Sequence, residues 1–190
     1  MAAQVFLVGS ETDDPNARYD GAGPIVAVST YVLPVFWCGA FATDDMRARH
    51  RSGTNAGAGM GAASYPVLLT ALAEAKKRAV WRRPLVFEYL PASLEQVYDE
   101  WLALLDSIDA PHILVDTLEL AGLLDPIEFG QLLSSCVRAF EQGRLDDWDE
   151  LLGQAGINLE SAARDVSFDD DDPAAIARHL RGDPWVRPVP

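Results

Sequence analysis

The chain has 190 residues, 49% of them hydrophobic, and a formal net charge of -14. That is enough apolar material for one cored domain, and it excludes wholesale disorder. The 29 carboxylates against 15 Lys and Arg argue against partners bearing phosphate, whether nucleic acid or anionic lipid, because both are held by cations.

The charge is unevenly spread. Residues 1–84 carry 9 Lys/Arg and 7 Asp/Glu, whereas residues 85–190 carry 6 and 22. The N-terminal MAAQVFLVGSETDD lacks the basic region and long apolar stretch of a signal peptide. No apolar run is long enough to span a bilayer. A cytoplasmic location is therefore expected. Cys38 and Cys136 both stand in apolar surroundings, which predicts two buried thiols in a reducing compartment, with a single disulfide left open.

In chain order, Gln4–Val8 (QVFLV) reads as a short strand. A polar loop follows, and then the β-branched Ile25–Thr30 (IVAVST), a second buried strand. Pro34 suits a first helical position, so VFWCGAFA is expected to be a buried helix, with Thr43-Asp44-Asp45 capping a further helical turn to about His50. Residues Arg51–Ser64 are rich in Gly and Ala and predict a mobile loop. The spacing of Leu68, Leu69, Leu72, Ala75, Ala79 and Val80 predicts a helix from Pro66 to Trp81 capped by Ser64, and Leu85–Leu90 (LVFEYL) reads as a strand.

Ser93-Leu94-Glu95-Gln96 has the form of a capping box before a helix that buries Leu94, Val97, Tyr98, Trp101, Leu102, Leu105 and Ile108. Ile113–Thr117 (ILVDT) is a central-strand candidate. Asp125-Pro126-Ile127-Glu128 opens a helix with the stripe Phe129, Leu132, Leu133, Cys136, Val137 and Phe140, closed by Gly143. Short helices are expected near Asp146–Gln154 and Asn158–Arg164, and a last one from Asp172-Pro173 to Gly182. The aromatic set Phe36, Trp37, Trp81, Phe87, Tyr89, Tyr98 and Trp101 falls mostly at core-facing positions. These elements predict an α+β (or α/β) fold: a helix-rich single domain with a sheet of about three to four strands. Residues 1–165 form the domain, with the mobile loop at 51–64, and residues 166–190 form an acidic helix and Pro-rich tail packed on it.

No motif carries a strong catalytic signature. Gly57-Ala58-Gly59-Met60-Gly61-Ala62 fits G-x-G-x-x-A in form, but no buried strand precedes it and no acid follows at the ribose-binding distance. Asp116, Glu119 and Asp125 flank the end of ILVDT, where carboxylates can bind Mg²⁺ or act as acid and base. No His or Lys stands near them in sequence, and Asp116 or Thr117 serves more simply as a cap for LELAGLL. His50, His112 and His179 share no ligand spacing. No cofactor or metal is expected.

Two acidic clusters stand out. Trp148 lies inside Asp146-Asp147-Trp148-Asp149-Glu150, an aromatic ringed by carboxylates. Twenty residues on, Asp169-Asp170-Asp171-Asp172 precedes Pro173. One or two of these aspartates suit a helix start; four do not follow from capping, and the alternating D-x-D-x-D-G calcium pattern is missing. The surplus reads as solvated charge or as part of a partner-facing acidic surface, and the nearby run Asp146–Glu150 adds weight to the second.

The strand QVFLV, the segment Tyr31-Val32-Leu33-Pro34-Val35-Phe36-Trp37 and the block from Trp101 to His112-Ile113-Leu114-Val115-Asp116-Thr117-Leu118-Glu119-Leu120 resemble bacterial immunity proteins. These are the small acidic proteins encoded beside polymorphic or type VI-secreted toxins. The resemblance covers about the first two-thirds of the chain. It implies tight binding that occludes a toxin's active site, and it carries no fixed catalytic residues. The expectation is thus a non-enzymatic inhibitor that meets a basic toxin cleft through Asp146, Asp147, Trp148, Asp149, Glu150, Asp169, Asp170 and Asp171. Two alternatives stand beside it: an enzyme using Asp116 and Glu119, and an adaptor or chaperone that loads an effector.

Overall fold

The computed structural model describes residues 3–17, 25–30, 33–50, 64–123, 126–145, 177–178 and 180–185. Among the described residues six strands form one sheet: β1 (Gln4–Ser10), β2 (Ile25–Thr30), β3 (Met46–His50), β4 (Ser64–Ala71), β5 (His112–Asp116) and β6 (Asp183–Pro184), in the order β3-β4-β5-β1-β2-β6. Every pairing is antiparallel. The fold is therefore α+β, and the sheet is larger than the three to four strands expected from sequence. QVFLV and IVAVST form where the sequence places them, and ILVDT forms one residue earlier. Each presents apolar side chains to both sheet faces, as strands buried on both sides do.

The extra strands explain the miscount. Ser64–Trp81 is not one helix. Ser64–Ala71 is β4, and the helix α2 runs Leu72–Val86. In β4 the side chains of Tyr65, Val67 and Leu69 alternate with those of Leu68 and Thr70, and all five are buried. A strand covered on both faces shows no polar/apolar alternation, so Leu68, Leu69 and Leu72 mimic a helical stripe. The segment LVFEYL is not a strand either: α2 continues through Pro84 to Val86, and the amides of Phe87 to Leu90 then bond back onto its last turn. Thr43–Asp45 is a single 3-10 turn rather than the start of a longer helix, and Met46–His50 turns out as β3. Asp45 holds that turn by accepting from the Ala42 amide and from Arg78 of α2.

Helix α1 (Val35–Cys38) is one turn, shorter than VFWCGAFA, although Val35 to Phe41 are all buried. The helix α3 (Glu95–Asp106) follows a 3-10 turn at Ala92–Leu94, and no side-chain cap forms at its start, so the Ser93 capping box is not made. Its stripe is as expected at Leu94, Tyr98, Trp101, Leu105 and Ile108, which are buried, with Val97 and Leu102 partly so. Helix α4 (Leu118–Ala121) leads to α5 (Pro126–Gln142), which buries Phe129, Leu133, Cys136, Val137 and Phe140. Each such side chain contributes roughly 1.5–3 kcal/mol on leaving water. Gly143 ends α5 in the left-handed region (φ 64°), where the Arg144 amide reaches back to the Ala139 carbonyl.

Phe36, Trp37, Tyr98 and Trp101 lie in the core, and Phe87 packs against it. Trp81 does not: it is 72% exposed on the outer side of α2, and Tyr89 is also exposed. Near the C-terminus, Leu180 is buried and Gly182 closes a helical turn with φ 73°. β6 then adds to the edge of β2. The Trp185 amide donates to the Val26 carbonyl, and its ring meets Phe6 edge-on at 6.4 Å. We call residues 180–185 the strap.

Candidate functional site

The sheet register decides which polar groups meet. Phe6 stands opposite Asp116, and Leu68 opposite Val115, so Asp116 shares a face with Phe6, Val8, Val67 and Leu69. Across β4, Arg47 pairs with Val67 and Arg49 with Tyr65, which puts both arginines on that same face. Arg49 Nη1 thereby comes 3.7 Å from Asp116 Oδ2, while its Nη2 donates to the Ala17 carbonyl at 3.3 Å. Beside Asp116 a cleft of about 140 Å³ opens, walled by Phe6, Val8, Ile25 and Leu118, with Gln4 and Glu119 at its polar end.

Asp116 and Glu119 therefore line one cleft. Both are already used as acceptors. Asp116 Oδ1 takes the Leu118 amide at 3.1 Å, fixing the entry to α4, and Glu119 Oε2 takes the Gln4 amide at 2.7 Å, tying α4 to the start of β1. The Thr117 hydroxyl donates to the Pro66 carbonyl. Thr117 is the N-cap residue of α4 but makes no side-chain cap and serves the sheet instead, while Asp116, one residue earlier, holds the first amide of the helix. Asp125 lies outside the described residues. Among the described residues no group of three or more His, Cys, Asp or Glu is placed to hold a metal ion. His50 and His112 do not converge: His50 pairs with Ser64 at one end of β4 and His112 with Ala71 at the other.

Burial pushes the Asp116 carboxyl up to about 6, the Leu118 N–H pulls it down, and the charge of Glu119 adds a further rise. Arg49 Nη1, at 3.7 Å, stands too far for a hydrogen bond to Oδ2. The folded state therefore binds a proton more tightly than an ordinary carboxylate near 4 does, and the stability this contributes is lost as pH rises through about 6. Wild type should lose roughly 2 kcal/mol relative to Asp116→Asn between pH 4 and pH 8. Urea unfolding of both proteins across that range measures it. A difference that stays flat with pH would mean that Asp116 is not perturbed.

Elsewhere several of the described charges pair within the molecule. Lys76 pairs with Asp106 at 3.2 Å, and Arg83 reaches both Glu95 (3.2 Å) and Asp99 (3.1 Å). The basic flank of α2 thus clasps the acidic flank of α3. Arg181 pairs with Glu100 at 2.9 Å, joining the strap to the same helix. Exposed pairs like these contribute little each, about 0–1 kcal/mol. They join α2 and the strap to α3 but engage only four of the 22 carboxylates of residues 85–190.

The expected partner-facing residues Asp146, Asp147, Trp148, Asp149, Glu150, Asp169, Asp170 and Asp171 all lie outside the described residues, as do the Gly-rich loop at 51–63 and His179. Sequence reasoning did not find Arg49 or Gln4. The signal for Arg49 is the alternation in MRARH, which sends Arg47 and Arg49 to one face once the segment is read as a strand. Comparison with protein-family models, with curated proteins and with solved structures gives no match. No described helix is long and apolar enough to cross a membrane.

Proposed function

We propose that the protein is an inhibitor, an immunity protein that neutralises a cognate antibacterial toxin by covering a basic active site. The observation that carries this reading is where the charge surplus lies. The cations of α2 are engaged by the body itself: Lys76 by Asp106, Arg78 by Asp45, and Arg83 by Glu95 and Asp99. Residues 146–176 hold ten carboxylates and a single arginine. A concentration of like charge opposes compaction unless a cationic surface meets it. A cleft built to bind phosphates is such a surface, and an acidic segment that fills it displaces the substrate. The partner is a cationic toxin or effector domain in the cytoplasm, and Asp146, Asp147, Trp148, Asp149, Glu150, Asp169, Asp170 and Asp171 make the contact.

The test is to ask whether a neighbouring reading frame encodes a small basic domain and, where it does, to co-express the two. Growth restored in cells that the toxin alone kills supports inhibition. An adaptor would bind its client and leave it active. In kinetics with the purified toxin, reversing Asp169, Asp170 and Asp171 to Lys should slow association several-fold. It should also flatten the salt dependence, since exposed charges act over about 8 Å at physiological salt. Trp148→Ala should instead speed dissociation, as loss of an anchor does. If the triple reversal leaves the association rate and its salt slope unchanged, the partner docks elsewhere.

One observation favours a second reading. Asp116 and Glu119 line the same cleft, and a carboxyl that burial pushes up, as at Asp116, suits a general acid. Their oxygens are occupied by the Leu118 and Gln4 amides, which favours a structural role. A turnover abolished by Asp116→Asn in a folded protein would reverse that preference.

A further inference from the structure

Two sulfurs meet in the core. Cys38 ends α1 and Cys136 lies in the middle of α5, 98 residues later. Both are free, with exposures of 0% and 1%. Cys136 is the neighbour that, with burial, holds the Cys38 thiol well above its ordinary range, and it lies one turn before Phe140 on α5. The surroundings keep them together. The helices α1 and α5 pack directly, and a Cβ at Gly39 would stand only 3.1 Å from the Phe140 ring, so that ring lies against the backbone one residue from Cys38. The neighbouring Trp37 anchors the strap, its Nε1 donating to the Arg181 carbonyl at 2.7 Å.

We propose that Cys38 and Cys136 are a latent redox latch, which a peroxide converts to a disulfide joining α1 to α5. The chemistry closes on these two groups. One thiol, as thiolate, attacks a peroxide oxygen; the O–O bond breaks, and a sulfenic acid and one water result. The second sulfur attacks the sulfenic sulfur, expelling the oxygen as a second water after proton transfer. Two thiols are oxidised by two electrons, and one hydrogen peroxide is reduced to two waters. The raised thiol acidity range and the burial make the reaction slow, paced by openings of the one-turn helix α1. Once formed, the bond closes a loop of nearly 100 residues and so restricts the unfolded chain strongly. It also fixes α1, which touches both α5 and the strap. This inference does not depend on the inhibitor reading.

The full-length protein, held under native conditions with millimolar hydrogen peroxide, should lose about 2 Da and both titratable thiols while remaining a single chain. Its melting temperature should rise by several degrees, and dithiothreitol should reverse both changes. Cys136→Ala and Cys38→Ala should each abolish the mass loss. Should one variant fail to fold, the wild-type mass, thiol count and reversal still decide the matter. Two thiols that persist in the native protein, or oxygen adducts gained without the loss of two hydrogens, would overturn the proposal. So would a disulfide that forms only in denaturant.

Discussion

Arg82→Ala should destabilise the protein by about 3 kcal/mol, a fall of roughly 6–12 °C in Tm. Arg82 is 4% exposed, and its Nη1 donates to the carbonyls of Gly39 (2.8 Å) and Phe41 (2.7 Å). Those carbonyls end the α1 turn, where helical partners run out. Each buried carbonyl left unpaired costs about 1–3 kcal/mol. Tyr98 supports the same region by donating to the Ala79 carbonyl at 2.7 Å. Burial, with a smaller contribution from the nearby Arg78 charge, lowers the Arg82 guanidinium's hold on its proton, although its ordinary range is high enough to keep it charged at neutral pH. Arg82→Met fills the volume and should recover only part of the loss. Urea unfolding monitored by circular dichroism gives the values. A loss below about 1 kcal/mol for Arg82→Ala would show that water reaches both carbonyls.

Gly182→Ala should release the strap. Gly182 has φ 73°, and a Cβ there would stand 2.7 Å from Trp37 Cζ2 and 3.3 Å from Pro34 Cγ. Trp37 cannot move aside, being fully buried and bonded through Nε1 to Arg181. The left-handed backbone alone costs roughly 1–2 kcal/mol for a residue bearing Cβ, and overpacking adds a further 1–3 kcal/mol or so. Gly143→Ala is the matched control. Its φ is 64°, but the nearest atom to its Cβ is Leu85 Cδ1 at 3.7 Å, an ordinary contact. The excess cost of Gly182→Ala over Gly143→Ala isolates the clash with Trp37. Hydrogen exchange at the Trp185 amide, which bonds the Val26 carbonyl, should quicken only in the first variant. Equal costs and unchanged exchange would mean that Trp37 yields.

What the sequence revealed depended on how each element is covered. Helices α3 and α5 are open to water on one side, so the stripes Tyr98, Trp101, Leu105 and Phe129, Leu133, Cys136 were legible. β4 is buried on both faces, and its apolar run carried no period to separate it from α2. β3 failed for the opposite reason. As an exposed edge strand rich in arginine it has little apolar signal, and only its pairing with β4 defines it. β6 has two residues, too few to announce a strand. The same holds for the cleft. Asp116 and Glu119 could be picked out at the end of ILVDT, but Arg49 reaches Asp116 only because β4 lies between their strands. The Cys38–Cys136 contact spans 98 positions, and no local pattern encodes it.

The strand order has a consequence for synthesis of the chain. β1 is flanked by β2, its neighbour in sequence, and by β5, which begins at His112. While the ribosome adds the roughly hundred residues between them, at about 5–20 residues per second, Val5 and Leu7 have no second strand to pair with. For several seconds the nascent chain holds a two-stranded ribbon with an open apolar edge. Arrival of β5 joins that ribbon to the β3–β4 hairpin in a single event, since β5 is the strand that touches both. Such long-range closure is slow to nucleate. A chaperone that shields strand edges would have its substrate here, in the interval before residue 116 clears the exit tunnel.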